Sequence, residues 1–179
     1  MNTESRVPHS TTGFGLGAQL LAFADLLLIS NWLGSMIFFS FAVAPSAFAV
    51  LPTRELAGVM VTSAIGKVEM LGLIIGPLLI LIRVARWRAE DSGHIARLIQ
   101  LLLLCVMIAA AALSRFWISP RMVSLRTEMG GRIDDLPVTD PLRVHFNDLH
   151  QYSVALMSAA IIAGLLVLFL RVRSWVRYS

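Results

Sequence analysis

Charged residues are scarce in this sequence. Asp, Glu, Lys and Arg make up 15% of its 179 residues, whereas soluble domains contain about 25%. Hydrophobic residues make up 57%, and four apolar runs cover residues 26–51, 68–82, 98–113 and 154–170. With flanking small residues, each run reaches the ~20 residues that a helix needs to cross a bilayer core. The composition therefore predicts an all-α integral membrane protein and excludes an ordinary soluble domain.

Several chemical signatures are also missing. Cys105 is the single cysteine, so the chain has no intramolecular disulfide and no cysteine metal cage; within its apolar run it is expected to be a small core residue. The sequence contains no Gly-rich phosphate loop, no His-Glu-x-x-His and no nucleophile elbow. We therefore predict no catalytic residue, no metal site and no cofactor, and a non-enzymatic protein is favoured.

The positive net charge of +4 does not indicate a nucleic-acid partner. Arginines cluster at the ends of the apolar runs, and they are not interleaved with aromatic residues as a nucleic-acid surface requires. Anchoring of helix ends in the lipid bilayer explains this pattern better.

The apolar runs and the residues that end helices predict an antiparallel four-helix bundle. We expect a polar tail over residues 1–19, helices over about 20–51, 55–83, 95–129 and 141–173, and a short tail over 174–179. Pro45 is expected to kink the first helix, Thr53 or Pro52 to begin the second, Gly130 and Gly131 to end the third, and Asp140-Pro141 to begin the fourth. The helices exceed a membrane thickness, and their extensions are expected to form a small cap on the outer side.

The small-x-small triplet Ala47-Phe48-Ala49 has the form of a signal-peptide cleavage site. The apolar run before it is longer than a signal peptide's, and the residues before that run hold only Arg6 as a basic residue. We therefore expect the first span to be retained.

The arginine distribution predicts the orientation. One group frames the loop between the second and third helices and consists of Arg83, Arg86, Arg88 and Arg97. A second group lies in the C-terminal tail and consists of Arg171, Arg173 and Arg177. By the positive-inside rule, both groups are cytoplasmic. The sequence thus predicts a multi-pass protein of the bacterial inner membrane with both termini in the cytoplasm and the loop over 130–140 outside.

Four polar residues lie within the predicted spans: Asp25, Asn31, Lys67 and Glu69. Polar groups at membrane depth are costly and usually have a partner or a function. Asp25 is expected to reach the headgroups, and Asn31 belongs to a polar and small-residue edge used for packing. Lys67 and Glu69 point to opposite faces, so one reaches outward and the other needs a partner on another helix, for which Arg115 is a candidate.

Close helix packing is expected at Gly72-x-x-x-Gly76, because small residues let transmembrane helices approach.

Polar residues near the outer end of the third and fourth helices predict a ligand pocket. They are Arg115, Ser119, Arg121, Arg126, Asn147, His150, Gln151 and Ser153. Arg121 is expected to turn toward His150 because Pro120 bends the third helix, and Ser153 to hydrogen-bond the imidazole. Such a pocket suits an anion, a carboxylate or a polar head group. The alternative is that these residues only mark where the helices pass from water into lipid.

Haem and copper(I) binding are alternatives to this pocket. Haem ligation requires histidine at membrane depth, and only His150 lies close. Copper(I) binds thioethers, but Met36, Met60, Met70, Met107 and Met157 form no close i, i+3 or i, i+4 cluster. Apolar packing of the methionines is therefore favoured.

Four segments carry a resemblance to a known family: DLLLISNWLG (25–34), PSAFAVLP (45–52), RFWISPR (115–121) and FNDLHQYS (146–153). They resemble the transmembrane protein 205-like family, whose bacterial members are classified as domain of unknown function 4149. The resemblance implies a small four-helix membrane protein over residues 25–157, and it brings no established reaction.

Together these features predict a bundle that binds or passes a small molecule or ion, with a polar pocket at the outer face and a link to tolerance of toxic compounds or metals. A haem- or copper-handling redox protein is the alternative. A third interpretation is a subunit that needs a homo-oligomeric or membrane partner.

Overall fold

The structure, a computed structural model, describes residues 15–86, 94–130 and 133–176, with side chains to residue 173. Four long helices account for most of these residues: α1 (Leu16–Val50), α2 (Arg54–Ala85), α3 (His94–Glu128) and α4 (Pro141–Val176). A short 3-10 helix, Ile133–Asp135, lies in the loop before α4. All four helices are long and apolar enough to span a membrane. The all-helical membrane architecture expected from the sequence is therefore confirmed in the described residues.

Local signals set the helix boundaries. The Thr53 hydroxyl accepts a hydrogen bond from the Leu56 amide at 3.2 Å, as an N-cap does. Asp140 does the same for the Leu142 amide at 2.9 Å, and Pro141 is the first residue of α4. Gly130 has a positive φ of 64° just beyond α3, a conformation that side chains disfavour. These three predicted boundaries are confirmed, while α1 begins at Leu16, earlier than the predicted Leu20.

Pro45, Pro77 and Pro120 lie inside the long helices, and Pro45 and Pro120 are each preceded by a π-helical turn. The π segment Phe39–Val43 in α1 precedes Pro45, and Ser114–Ile118 in α3 precedes Pro120. A proline ring clashes with the carbonyl four residues earlier and lacks an N–H. The wider turn accommodates this clash, and α1 continues past Pro45 to Val50, close to the predicted end at residue 51.

The helices are antiparallel, and this arrangement defines two ends of the bundle. At the terminal end, α1 and α3 begin and α2 and α4 end; at the loop end, the chain passes from α1 to α2 and from α3 to α4. A helix of 35 residues, the length of α1 and of α3, is about 52 Å long and exceeds the ~30 Å of a bilayer core.

The core is built around Trp32 of α1, which is 1% exposed. A Cβ at Gly72 would collide with the Trp32 indole, and one at Gly76 would meet both Trp32 and Ile108. Both glycines are buried on α2. The predicted close packing at this glycine pair is confirmed.

Cys105 is exposed on α3. The expectation that it packs in the core is wrong, because Leu104 and Met107 occupy the buried face of that turn. Several predicted features lie outside the described residues: most of the N-terminal tail (1–14), Arg88 in the second loop, Gly131 and Arg177.

Candidate functional site

A buried carboxylate lies near the middle of the bundle. Glu69 is 15 residues after Arg54, the first residue of α2, which places it roughly 22 Å along that helix. Its exposed fraction is 3%. The hydroxyl of Ser114, in the π segment of α3, donates a hydrogen bond to Glu69 Oε1. The irregular turn of α3 therefore supplies one partner for this carboxylate.

The second carboxylate oxygen has a different environment. Glu69 Oε2 is buried and has no hydrogen-bond partner among the described residues. Arg115 interacts with Glu69 through charge, while the direct hydrogen bond comes from its neighbour Ser114. Lys67 is exposed, so the prediction that Lys67 and Glu69 face opposite sides is confirmed. One oxygen of Glu69 thus remains available inside the bundle.

A cavity of about 20 Å³ is lined in part by Glu69. Such a volume holds about one water-sized particle. Every helix contributes to its wall. Its polar lining comes from Glu69, Ser114 and Ser153, and its remaining lining from Trp32, Met36, Val68, Met107, Ala110, Ala111, Leu156, Met157 and Ala160.

A second buried polar group lies near the terminal end. Asp25 of α1 is 1% exposed, and its Oδ2 lies 3.2 Å from Arg83 Nη2 and 2.6 Å from Arg171 Nη1. Arg171 Nη1 also donates to the Asp25 backbone carbonyl at 3.0 Å. One carboxylate thereby joins α1 to α2 and α4. The expectation that Asp25 reaches the headgroups is wrong, because Asp25 is buried and pairs with Arg83 and Arg171 inside the bundle.

With Gln100 of α3, each of the four helices contributes one buried polar residue at that end. Gln100 is 2% exposed and lies six residues into α3. Its Oε1 is buried without a hydrogen-bond partner in the described part of the chain. Asp25, Arg83, Gln100 and Arg171 are hereafter called the polar layer.

Arg126 is the part of the predicted outer pocket that packs between helices. Its Nη1 donates to the Thr62 hydroxyl at 3.4 Å, and its guanidinium lies 5.6 Å from the centroid of the Phe146 ring. A Cβ at Gly58 would lie 2.9 Å from Arg126 Nη2, so glycine leaves room for the guanidinium. Arg115 and Ser119 are half-buried on the same helix.

The other predicted pocket residues lie elsewhere. Arg121, Asn147, His150 and Gln151 are exposed, and the Arg121 guanidinium stacks on the ring of Trp117 at 4.0 Å. The structure therefore does not enclose Arg121 and His150 in one pocket. The fourth helix buries the face that carries Phe146 and Leu149 instead. Ser153 lines the central cavity, whereas His150 is exposed.

Sequence reasoning missed the methionines of the cavity. Met36, Met107 and Met157 come from three different helices and meet at one cavity, which spacing within a single helix cannot reveal.

Asn31 is exposed, and its carbonyl accepts a hydrogen bond from Ser35 at 2.8 Å. The three histidines that the structure describes, His94, His145 and His150, are all exposed. No group of three His, Cys, Asp or Glu side chains able to hold a metal occurs in the described residues.

Comparison with known families gives one match. The model of a family described as "Domain of unknown function (DUF4149)" matches residues 27–130, more than half of the chain. The matched region contains Trp32, Met36, Glu69, Met107 and Ser114, and it ends before α4 begins. Searches of curated proteins and of solved structures return no match.

Proposed function

This chain belongs to the DUF4149 family, and on that premise we propose that it binds a small cation inside its membrane bundle, at Glu69, as a binding or permeation-type protein. The observation that carries the proposal is the buried Glu69, which lines a cavity and has one carboxylate oxygen without a hydrogen-bond partner among the described residues. The site differs from the outer pocket expected from the sequence, and its charge favours a cation.

The physical argument starts from the cost of burial. An ionisable group within a membrane span is expensive to keep and is by default a sign of function. A carboxylate oxygen that is buried without a hydrogen-bond partner loses its hydration, and no hydrogen bond replaces it. A cation in the adjoining cavity offsets this loss by direct attraction. Because the cavity holds about one water-sized particle, the ion enters without most of its hydration shell.

The polar layer supports a permeation role for the bundle. Its ion pairs cross from α1 to α2 and α4 between the cavity and the terminal end, so an ion moving that way has to pass them. In this proposal the layer is a closed gate, and tolerance of toxic cations or metals is the physiological role. The finer family assignment, to the transmembrane protein 205-like proteins, belongs to this proposal.

The proposed location is the bacterial inner membrane with both termini cytoplasmic and with lipid and further copies of the chain as partners. The grounds are the arginine groups near the terminal end. We expect a cytoplasm-active reporter to work when fused after Arg88, and an export-dependent reporter to work when fused after Asp135. Export-dependent activity at Arg88 refutes this orientation.

The test of the proposed function compares Glu69→Gln with Glu55→Gln, a matched change at an exposed glutamate of the same helix. Gln retains the size of Glu and an oxygen that accepts from Ser114. Both changes are made in a Cys105→Ala chain, because the exposed thiol itself binds soft metals. The thermal midpoint in detergent is measured against nitrates of sodium, potassium, ammonium, tetramethylammonium and silver(I).

A ligand that binds the folded state raises the midpoint in a concentration-dependent way. We expect at least one of the five cations to raise it in the parent and in Glu55→Gln, and to lose that effect in Glu69→Gln. The proposal is refuted if no cation gives a response that depends on Glu69.

A further inference from the structure

We propose that the ion bound at the central cavity is a soft monovalent metal ion, Cu(I) or Ag(I), held by the thioethers of Met36, Met107 and Met157 together with Glu69. This inference rests on the proposed function and names the class of cation. The three methionines and Glu69 are hereafter called the thioether site.

The first support is convergence. Met36 lies on α1, Glu69 on α2, Met107 on α3 and Met157 on α4, and all four line one cavity. Met36 and Met107 are buried, at 3% and 0% exposed. Met60 and Met70, by contrast, are 46% and 44% exposed on the outside of α2. These five methionines are therefore divided between an inner set that lines the cavity with Glu69 and an outer pair that does not.

The second support is the available space beside an unpartnered group. Methionine often fills gaps in a core because its side chain is flexible. If filling were its only role here, the three side chains would close the space next to Glu69. A cavity lined by Glu69 remains instead, and Glu69 Oε2 has no hydrogen-bond partner among the described residues. A metal ion occupies such a space and supplies the missing partner.

The ligand set selects the kind of metal. Thioether sulfurs bind Cu(I) in preference to hard cations, whereas Na⁺, K⁺, Mg²⁺ and Ca²⁺ require several oxygen ligands. The cavity offers the oxygens of Glu69, Ser114 and Ser153 alone. Zn²⁺ and Cu²⁺ are typically held by imidazole or thiolate, and no His or Cys lines the cavity.

The local charge selects a monovalent ion. Glu69 contributes one negative charge, and Arg115 opposes it through its own positive charge. In a low-dielectric interior each additional uncompensated charge costs several kcal/mol. With one carboxylate and one guanidinium at the site, a monovalent ion adds the least uncompensated positive charge and a divalent ion adds more.

Gly164 of α4 leaves space for the Met107 side chain. A Cβ at Gly164 would lie 3.1 Å from Met107 Cε and 3.6 Å from Met107 Sδ. The absence of a side chain on α4 thus gives the Met107 thioether room next to α4, the helix that also carries Met157.

The experiment measures metal retained by the full-length Cys105→Ala protein in detergent. The test variant adds Met36→Leu, Met107→Leu and Met157→Leu, which keep apolar volume nearly constant. The control adds Met60→Leu and Met70→Leu, which remove two thioethers outside the cavity. Silver nitrate is added without chloride, unbound ion is removed by gel filtration, and silver per chain is measured by mass spectrometry. Cu(I) affinity is measured anaerobically by competition with bicinchoninate.

We expect about one silver ion per chain in the parent and in the control, and none in the triple variant. Glu69→Gln should weaken Cu(I) binding at least about tenfold. Thermal unfolding without metal shows whether the triple variant is folded. If it is not folded, the three single variants Met36→Leu, Met107→Leu and Met157→Leu replace it. Each single variant should weaken Cu(I) binding, whereas Met60→Leu should leave it unchanged.

The outcomes separate the two proposals. Equal silver retention by the parent and the methionine variants overturns the thioether site. A Glu69-dependent response to sodium, potassium, ammonium or tetramethylammonium, without silver retention, also overturns it but supports the proposed function. Silver held by the methionines equally well in Glu69→Gln supports the thioethers as ligands and overturns the role of Glu69. If no cation binds, both proposals fall.

Discussion

Replacing Asp25 by Asn removes the negative charge that two buried arginines share. The Asp25 carboxylate oxygen lies 2.6 Å from Arg171 Nη1 and 3.2 Å from Arg83 Nη2, and all three side chains are at most 9% exposed. Taking one partner from a buried ion pair costs about 3–5 kcal/mol, because the remaining charge stays buried without compensation. Since this carboxylate pairs with two guanidinium groups, we expect a loss of stability in the upper part of that range.

The matched control is Asp134→Asn at the loop end. Asp134 pairs with Arg54 at 3.5 Å and with Arg143 at 3.8 Å, and the Arg54 and Asp134 side chains are 76% and 50% exposed. Exposed pairs contribute about 0–1 kcal/mol. Unfolding is followed by far-UV circular dichroism in mixed micelles with increasing denaturing detergent. If Asp25→Asn is no more destabilising than Asp134→Asn, the interpretation of the polar layer as a buried ionic clamp is incorrect.

A rescue variant tests the cause of that loss. Asp25→Leu combined with Arg83→Met and Arg171→Met removes all three charges and keeps apolar side chains in their place. Replacement of a complete buried ion network by hydrophobic residues is often neutral or stabilising. We expect the triple variant to be more stable than Asp25→Asn in the same titration. A triple variant that is less stable would show that side-chain shape, and not uncompensated charge, dominates at this site.

The remaining predictions concern packing and exposure. Gly72→Ala should destabilise the bundle by about 1–3 kcal/mol, because its methyl group would collide with the Trp32 indole. Gly66→Ala, which meets no atom within 4 Å, should be neutral or stabilising by up to about 1 kcal/mol; equal effects in the detergent titration would contradict the packing. Cys105 should react fully with an apolar maleimide in the folded, detergent-solubilised protein, as intact mass measures, because it is exposed on α3. Protection of Cys105 until the protein is unfolded would place it in an interface instead.

Local chemistry made the helices predictable from the sequence. The length and apolarity of the four runs indicate spans because a bilayer core imposes both. Thr53, Asp140 with Pro141, and Gly130 mark boundaries because each acts on backbone groups within a few residues. The start of α1 at Leu16 was harder to predict from the sequence, because Gly15 provides no side-chain cap there. The π turns before Pro45 and Pro120 were also missed, since a proline alone indicates strain and not how the helix relieves it.

The inward face of each helix was decided by the tertiary structure. In a soluble helix, polar residues mark the outside, but in a membrane both the lipid-facing and the core-facing residues are apolar. Leu102 is 65% exposed and Leu104 is 0% exposed, although the sequence presents them alike. The rotation of each helix follows from contacts such as Trp32 against Gly72, which join residues far apart in the chain. For this reason the sequence identified Asp25 and Glu69 as polar residues within the spans, but it favoured apolar packing for the methionines. Only the packing of four helices turned His150 outward, brought two arginines to Asp25 and placed three thioethers beside Glu69.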